Sequence, residues 1–137
     1  MVDVVQKSLL TGHENWVTCV AFSPNGETLA SASDDQTIKL WNIATGSEQA
    51  TLKGHADKVN HISFSKNGET LASASNDQTV KLWDLPTRQL KATLTGHTGQ
   101  VYCVQFSPDA ATVASGGHDA CVHLWNTATG QLESTLK

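Results

Sequence analysis

Apolar and small residues along the chain come in short runs broken by polar turns, and the runs return at a fixed interval. Trp16 to Phe22 alternates two faces, with Val17, Cys19 and Ala21 on one and Thr18, Val20 and Phe22 on the other, the period-two signature of a half-buried strand. Lys58 to Phe64 and Gln100 to Phe106 carry the equivalent pattern. Ser23-Pro24-Asn25-Gly26 follows at once and reads as a turn, with Pro where φ near −65° is wanted and Gly where φ is positive. The second copy replaces the Pro with Lys66 and the third replaces the Gly with Ala110. Thr28 to Ser33 is small and nearly unbroken, as expected of a strand covered on both faces. Asp34-Asp35-Gln36 turns the chain into a third strand ending at Trp41, and Ala44-Thr45-Gly46 precedes a weaker one, Glu48 to Leu52, whose mixed polarity suits an outer, partly wet position. Each unit therefore predicts four short strands and no helix.

The interval is 42 residues: Gly12-His13 returns as Gly54-His55 and Gly96-His97, and Trp41-Asn42 as Trp83-Asp84 and Trp125-Asn126. Units 12–53, 54–95 and 96–137 follow without a gap, and the first two agree at about 24 of 42 positions. Internal repetition of this length outranks other local signals. Only residues 1–11 are left over, and Ser8-Leu9-Leu10-Thr11 matches Ala92-Thr93-Leu94-Thr95. The leftover reads as an extra outermost strand, the tail of a preceding unit.

Gly-His, Phe-Ser-Pro-Asn-Gly, Leu-Ala-Ser-Ala-Ser-Asp-Asp and Ile-Lys-Leu-Trp-Asn, three times in phase, resemble the WD40 repeat family, whose units are β-propeller blades. The resemblance implies an all-β chain of three four-stranded antiparallel blades, innermost strand first. It also implies a buried hydrogen-bond relay in each blade: His13, Ser31, Asp35, Trp41; His55, Ser73, Asp77, Trp83; His97, Ser115, Asp119, Trp125. Imidazole, carboxylate and indole N–H satisfy one another in such a relay, so the reading is structural rather than three nucleophile triads. Partners of this family commonly touch three positions per blade, here Trp16, Thr18, Asp34; Lys58, Asn60, Asn76; Gln100, Tyr102, His118. No two blades agree at these positions, while the strands around them are nearly invariant. Trp16 and Tyr102 are the strongest anchors, since aromatic side chains dominate interface hot spots.

Propellers close with about four to eight blades, so three leave one apolar face bare at each end. The expectation is a homo-oligomer, two chains giving six blades or three giving nine, or the remainder of a longer propeller. In such a ring the N-terminal copy of the outermost strand could complete a neighbouring chain's last blade.

Composition narrows the function. A net charge of −4 with scattered Lys and Arg argues against nucleic acid and anionic membranes as partners, and no run of the sequence is apolar enough to span a bilayer. Three cysteines without a Cys-x-x-Cys pair fit a reducing, cytoplasmic setting. Cys19, His61 and Cys103 occupy one position of successive first strands and raise a metal-dependent enzyme as a remote alternative. His118 and His123 lie near Cys121, but His123 stands where Lys39 and Lys81 stand, which reads as a surface position. No phosphate cradle or nucleophile elbow occurs. The expectation is a non-catalytic scaffold without cofactor or metal that binds protein or peptide on the face of the Gly-His loops. The alternative is a self-assembling module or part of a larger signalling or sensor protein.

Overall fold

The computed structural model describes residues 4–137 as twelve strands and no helix. They are β1 (Val17–Phe22), β2 (Thr28–Ser33), β3 (Ile38–Asn42), β4 (Glu48–Leu52), β5 (Val59–Phe64), β6 (Thr70–Ser75), β7 (Val80–Asp84), β8 (Gln89–Leu94), β9 (Val101–Phe106), β10 (Thr112–Gly117), β11 (Val122–Asn126) and β12 (Leu132–Leu136). Each consecutive set of four forms its own antiparallel meander, so the three blades are separate sheets. The innermost strands β1, β5 and β9 neighbour one another in turn.

The turns follow the sequence closely. Gly26 and Gly68 take φ of 74°, and Ala110 holds the same conformation at 60° in spite of its Cβ. Ser23 Oγ donates to Asn25 Oδ1 and accepts from the Thr28 amide, locking the turn from within. Ser65 and Ser107 repeat both bonds.

Strict alternation along the first strand does not hold. The β1–β2 register shifts between Val17 and Cys19, and matching shifts occur in the other two blades. The bulge inserts one residue and moves Val17 to the face of Val20 and Phe22, leaving Cys19 and Ala21 on the other.

Each blade consequently has two different apolar faces. The leading face of the second blade carries Val59, Ile62, Leu71 and Trp83, and it packs on the trailing face of the first, Ala30, Ala32, Ile38, Leu40 and Leu52. The second contact repeats the first: Val101, Val104, Phe106, Val113 and Trp125 pack on Ala72, Ala74, Val80, Leu82 and Leu94. Small residues on the second strand let the sheets approach, and large ones on the facing strand fill the gap.

At the two ends these faces are bare, as three blades require. Val17, Val20 and Phe22 are 51%, 58% and 68% exposed at the front, and Val122 and Leu136 are exposed at the back. Residues 4–11 form no strand here, and the third blade is completed by its own β12. The extra outermost strand expected from the sequence has no third strand beside it to pair with. Its last apolar residue nevertheless keeps its place: Leu10 lines a cavity of about 100 Å³ with Val17, Val20, Leu29 and Trp41, just as Leu52 packs with Trp83 and Leu94 with Trp125.

Leu82 and Leu124 occupy equivalent positions, one buried between blades and one on the bare end. Leu82→Ala is expected to cost about 2–5 kcal/mol in urea denaturation, and Leu124→Ala less than half as much in the monomeric chain. Equal costs would mean that another blade covers the trailing end.

Candidate functional site

In every blade the Gly-His loop is tied to three other elements by one set of bonds. In the first, His13 Nδ1 lies 2.8 Å from Asp35 Oδ2, His13 Nε2 lies 2.7 Å from Ser31 Oγ, and Trp41 Nε1 donates to Ser31 Oγ at 2.9 Å. The second blade repeats this with His55, Asp77, Ser73 and Trp83, and the third with His97, Asp119, Ser115 and Trp125. A carboxylate only accepts, so the imidazole donates through Nδ1, the serine hydroxyl donates to Nε2, and the indole N–H donates to the serine oxygen. The serine of each set is thus engaged on both sides and buried, which suits a structural tie and not a nucleophile. The glycine before each histidine is dictated by the same packing: a Cβ on Gly12, Gly54 or Gly96 would come within 3.2 Å of the relay tryptophan.

The relay aspartates sit under opposed influences. Burial raises their pKa, but hydrogen bonds outweigh it. For Asp35 these come from the Thr37 hydroxyl, His13 and backbone amides; for Asp77 from His55, Thr79 and the Ala56 amide. Both are held far below the usual carboxylate range. Asp119, with His97 and the amides of Cys121 and Thr98 but no hydroxyl, is lowered to about 2.

The nine variable positions gather along one rim of the three blades. Backbone bonds Asp34 N to Trp16 O, Asn76 N to Lys58 O and His118 N to Gln100 O, at 2.8, 2.9 and 2.8 Å, pair the loop residue with the residue before each relay aspartate. Trp16 is 79% exposed and Tyr102 46%; Lys58, Gln100 and His118 are also exposed. Several of the nine do structural work that the sequence did not reveal. Thr18 Oγ1 donates to the Val59 carbonyl and Asn60 Nδ2 donates to the Val101 carbonyl, each reaching into the next blade. Asn60 also donates to Asn76, and Lys58 Nζ lies 3.5 Å from Asp34 across the first junction. Tyr102, in the place of Thr18 and Asn60, has no following blade and donates its hydroxyl to Gln100. The one available signal was the constant spacing of a side-chain donor in each first strand.

Cys19, His61 and Cys103 are not brought together as a ligand set. Among the described residues the grouping with ligand atoms within 4.8 Å of one another is His97, Asp119 and His123. His61 instead accepts from the Val104 amide of the next blade.

His123, expected at the surface, is buried at 5% exposure. The reason lies in the register: Lys39, Lys81 and His123 each face a threonine of the outer strand, Thr51, Thr93 and Thr135. The lysines lay their stems over the relay and reach that hydroxyl with Nζ. Histidine at the same place is too short to pass it, and bonds the hydroxyl through Nδ1 at 2.8 Å. Burial and the adjacent His97 push its pKa below the ordinary value, against the pull of Asp119.

Separate four-stranded sheets packed face to face around their first strands define a propeller-type repeat protein. The profile of the family described as WD domain, G-beta repeat matches residues 4–42, 46–84 and 88–126. The chain belongs to the WD40 repeat family. It is 58% identical over 36 residues to apoptotic protease-activating factor 1 of Danio rerio, 26% of this chain and 3% of that protein. It is 50% identical over 42 residues to the ribosome biogenesis protein BOP1 of Mus musculus, 31% of this chain and 6% of that protein. The solved structure of U3-55K superimposes with a TM-score of 0.90 at 28% identity, covering 93% of this chain and 41% of that one. The chain therefore spans less than half of the solved propeller and a few per cent of these curated relatives.

Acid is expected to weaken all three relays. The unfolded carboxyls take up protons near pH 4 while the folded ones resist. Stability is then complete above about pH 4 and is lost as pH falls through the folded values, for Asp119 at about 2. Urea midpoints should hold from about pH 7 to 5 and drop between about pH 4 and 2, with a shallower drop in Asp119→Asn. A flat midpoint through that window would overturn the assignment.

Proposed function

We propose that the chain is a non-catalytic interaction module whose Gly-His loop rim binds a protein or peptide. One observation carries the reading: Trp16 stands 79% exposed at the loop end of β1, where the blade makes no use of its side chain. A large apolar side chain held in the open by a rigid strand loses little conformational freedom on binding, which favours it as an anchor. Tyr102 offers a second anchor two blades away. Between them Asp34, Lys58, Asn60, Asn76, Gln100 and His118 supply a polar surface that differs from blade to blade, while Thr18 contributes mainly to the junction. The engagement of every relay serine by histidine and tryptophan supports a non-catalytic role. The net charge of −4 favours protein over nucleic acid.

The bare end faces extend this reading. They are the two halves of a contact that the chain already makes twice, so further blades complete the platform, from other copies of this chain or from the rest of a longer propeller. A cytoplasmic setting fits the three free cysteines.

Selection of a displayed random-peptide library on the immobilised chain tests the rim. Selected peptides are expected to lose at least about tenfold in affinity on Trp16→Ala or Tyr102→Ala, with thermal stability unchanged because both side chains are exposed. Peptides that bind both variants as well as the parent would place the site elsewhere. Light scattering over a dilution series reads the assembly: a discrete dimer or trimer supports a ring of copies, and a monomer supports completion by a longer chain.

A further inference from the structure

The third blade departs from the other two at both positions that flank its relay aspartate. Thr37 and Thr79 donate their hydroxyls to Asp35 Oδ1 and Asp77 Oδ1. Cys121 stands in their place, its thiol turned to the Asp119 backbone carbonyl at 3.5 Å, so Oδ1 of Asp119 keeps the Cys121 amide but lacks the hydroxyl bond. Lys39 and Lys81 are replaced by His123, whose Nε2 is buried without a hydrogen-bond partner. A buried nitrogen left unpaired forfeits its hydration without a replacement bond. The third blade thus has an unpartnered imidazole nitrogen beside Asp119 Oδ2, the oxygen that also bonds His97 and the Thr98 amide.

The orphaned atom points at a donor set. His123 Nε2 lies 3.8 Å from Asp119 Oδ2, which lies 2.8 Å from His97 Nδ1, and the two imidazole rings are 4.1 Å apart. Tetrahedral zinc with ligands at about 2.0–2.1 Å holds its donor atoms about 3.3 Å apart, between these two separations. We infer that His97, Asp119 and His123 form a binding site for a divalent transition metal, zinc being the best match, that the first two blades do not possess. The two imidazole nitrogens favour zinc over magnesium or calcium, which prefer sets made wholly of oxygen.

Binding takes the other tautomer of His97: its single proton moves from Nδ1 to Nε2, with none lost from the ring, and Nδ1 is freed for the metal. Nε2 then donates to Ser115 Oγ, which still accepts from Trp125 and turns its own hydroxyl proton away from the imidazole. Thr135 bonds His123 through Nδ1 and orients Nε2 toward the metal, the usual outer partner of a ligating histidine. In the first blade the equivalent place is a cleft of about 200 Å³ lined by Asp35, Thr37, Lys39 and Thr51. A water or an outside group fills the fourth position.

The test uses His123→Lys, which restores the residue of the other two blades and so preserves the fold. Titration with Zn²⁺ by calorimetry, and with Co²⁺ by visible d–d absorption, is expected to give one site in the parent chain. In His123→Lys the Co²⁺ band should vanish and Zn²⁺ affinity fall by at least about tenfold. Zn²⁺ should raise the melting temperature of the parent only. Absence of binding, or equal affinity in His123→Lys, would overturn the inference and assign any bound metal to exposed groups such as His118 and Cys103.

Discussion

A single blade of this chain cannot stand alone, because each of its sheets is apolar on both faces. Everything else follows from how those faces are matched. The leading face presents large residues, valine or isoleucine, phenylalanine and tryptophan; the trailing face presents alanines flanked by isoleucine or valine and leucine. The two are complementary to each other and not to themselves. Contacts therefore run head to tail, and a chain of any length is left with one bare face of each kind. At three blades only the middle one is covered on both sides, with Leu71, Ala72, Ala74, Val80 and Leu82 wholly buried. The end blades are the price of an open arc.

Face packing sets distance but not rotation, and polar links across the junction supply the remainder. Thr18 and Asn60 reach the carbonyls of Val59 and Val101, and Asp34 meets Lys58. Within each blade the relay performs the same service for the loop, holding a glycine-histidine segment that has no strand partner against a buried tryptophan. The rim where a partner would bind is consequently rigid although it is made of loops. Rigidity there limits the entropy lost on binding.

Most of the fold was legible in the sequence, because repetition multiplies weak signals. A small run such as Thr28 to Ser33 is ambiguous alone, and three copies in phase with fixed turns are not. All three relays could be read for the same reason. Four features escaped. The bulge after Val17 carries no local mark, so strict alternation put Val17 on the wrong face. The rim positions looked free because they vary, yet Thr18 and Asn60 reach a carbonyl of the next blade and Lys58 a carboxylate of the preceding one. Residues 4–11 match an outermost strand in sequence but form none, since a strand is a property of a pair and its partner edge is absent.

His123 illustrates how a repeat acquires something its copies lack. Lysine at that position is buried along its stem and wet at its tip, and sequence sees only the charge. Its true constraint is the threonine across the strand pair, at 51, 93 and 135 in all three blades. Substituting histidine keeps that bond and shortens the reach, which turns a nitrogen inward instead of outward. The oxygen that this nitrogen faces, Oδ2 of Asp119, already bonds the relay histidine and a loop amide, as its counterparts do in the other blades. The nitrogen therefore finds no hydrogen-bond partner there. Near-identity of the blades makes the change legible: where the scaffold takes the same residue twice, a departure at a buried position stands out as a feature of that blade and not of the fold.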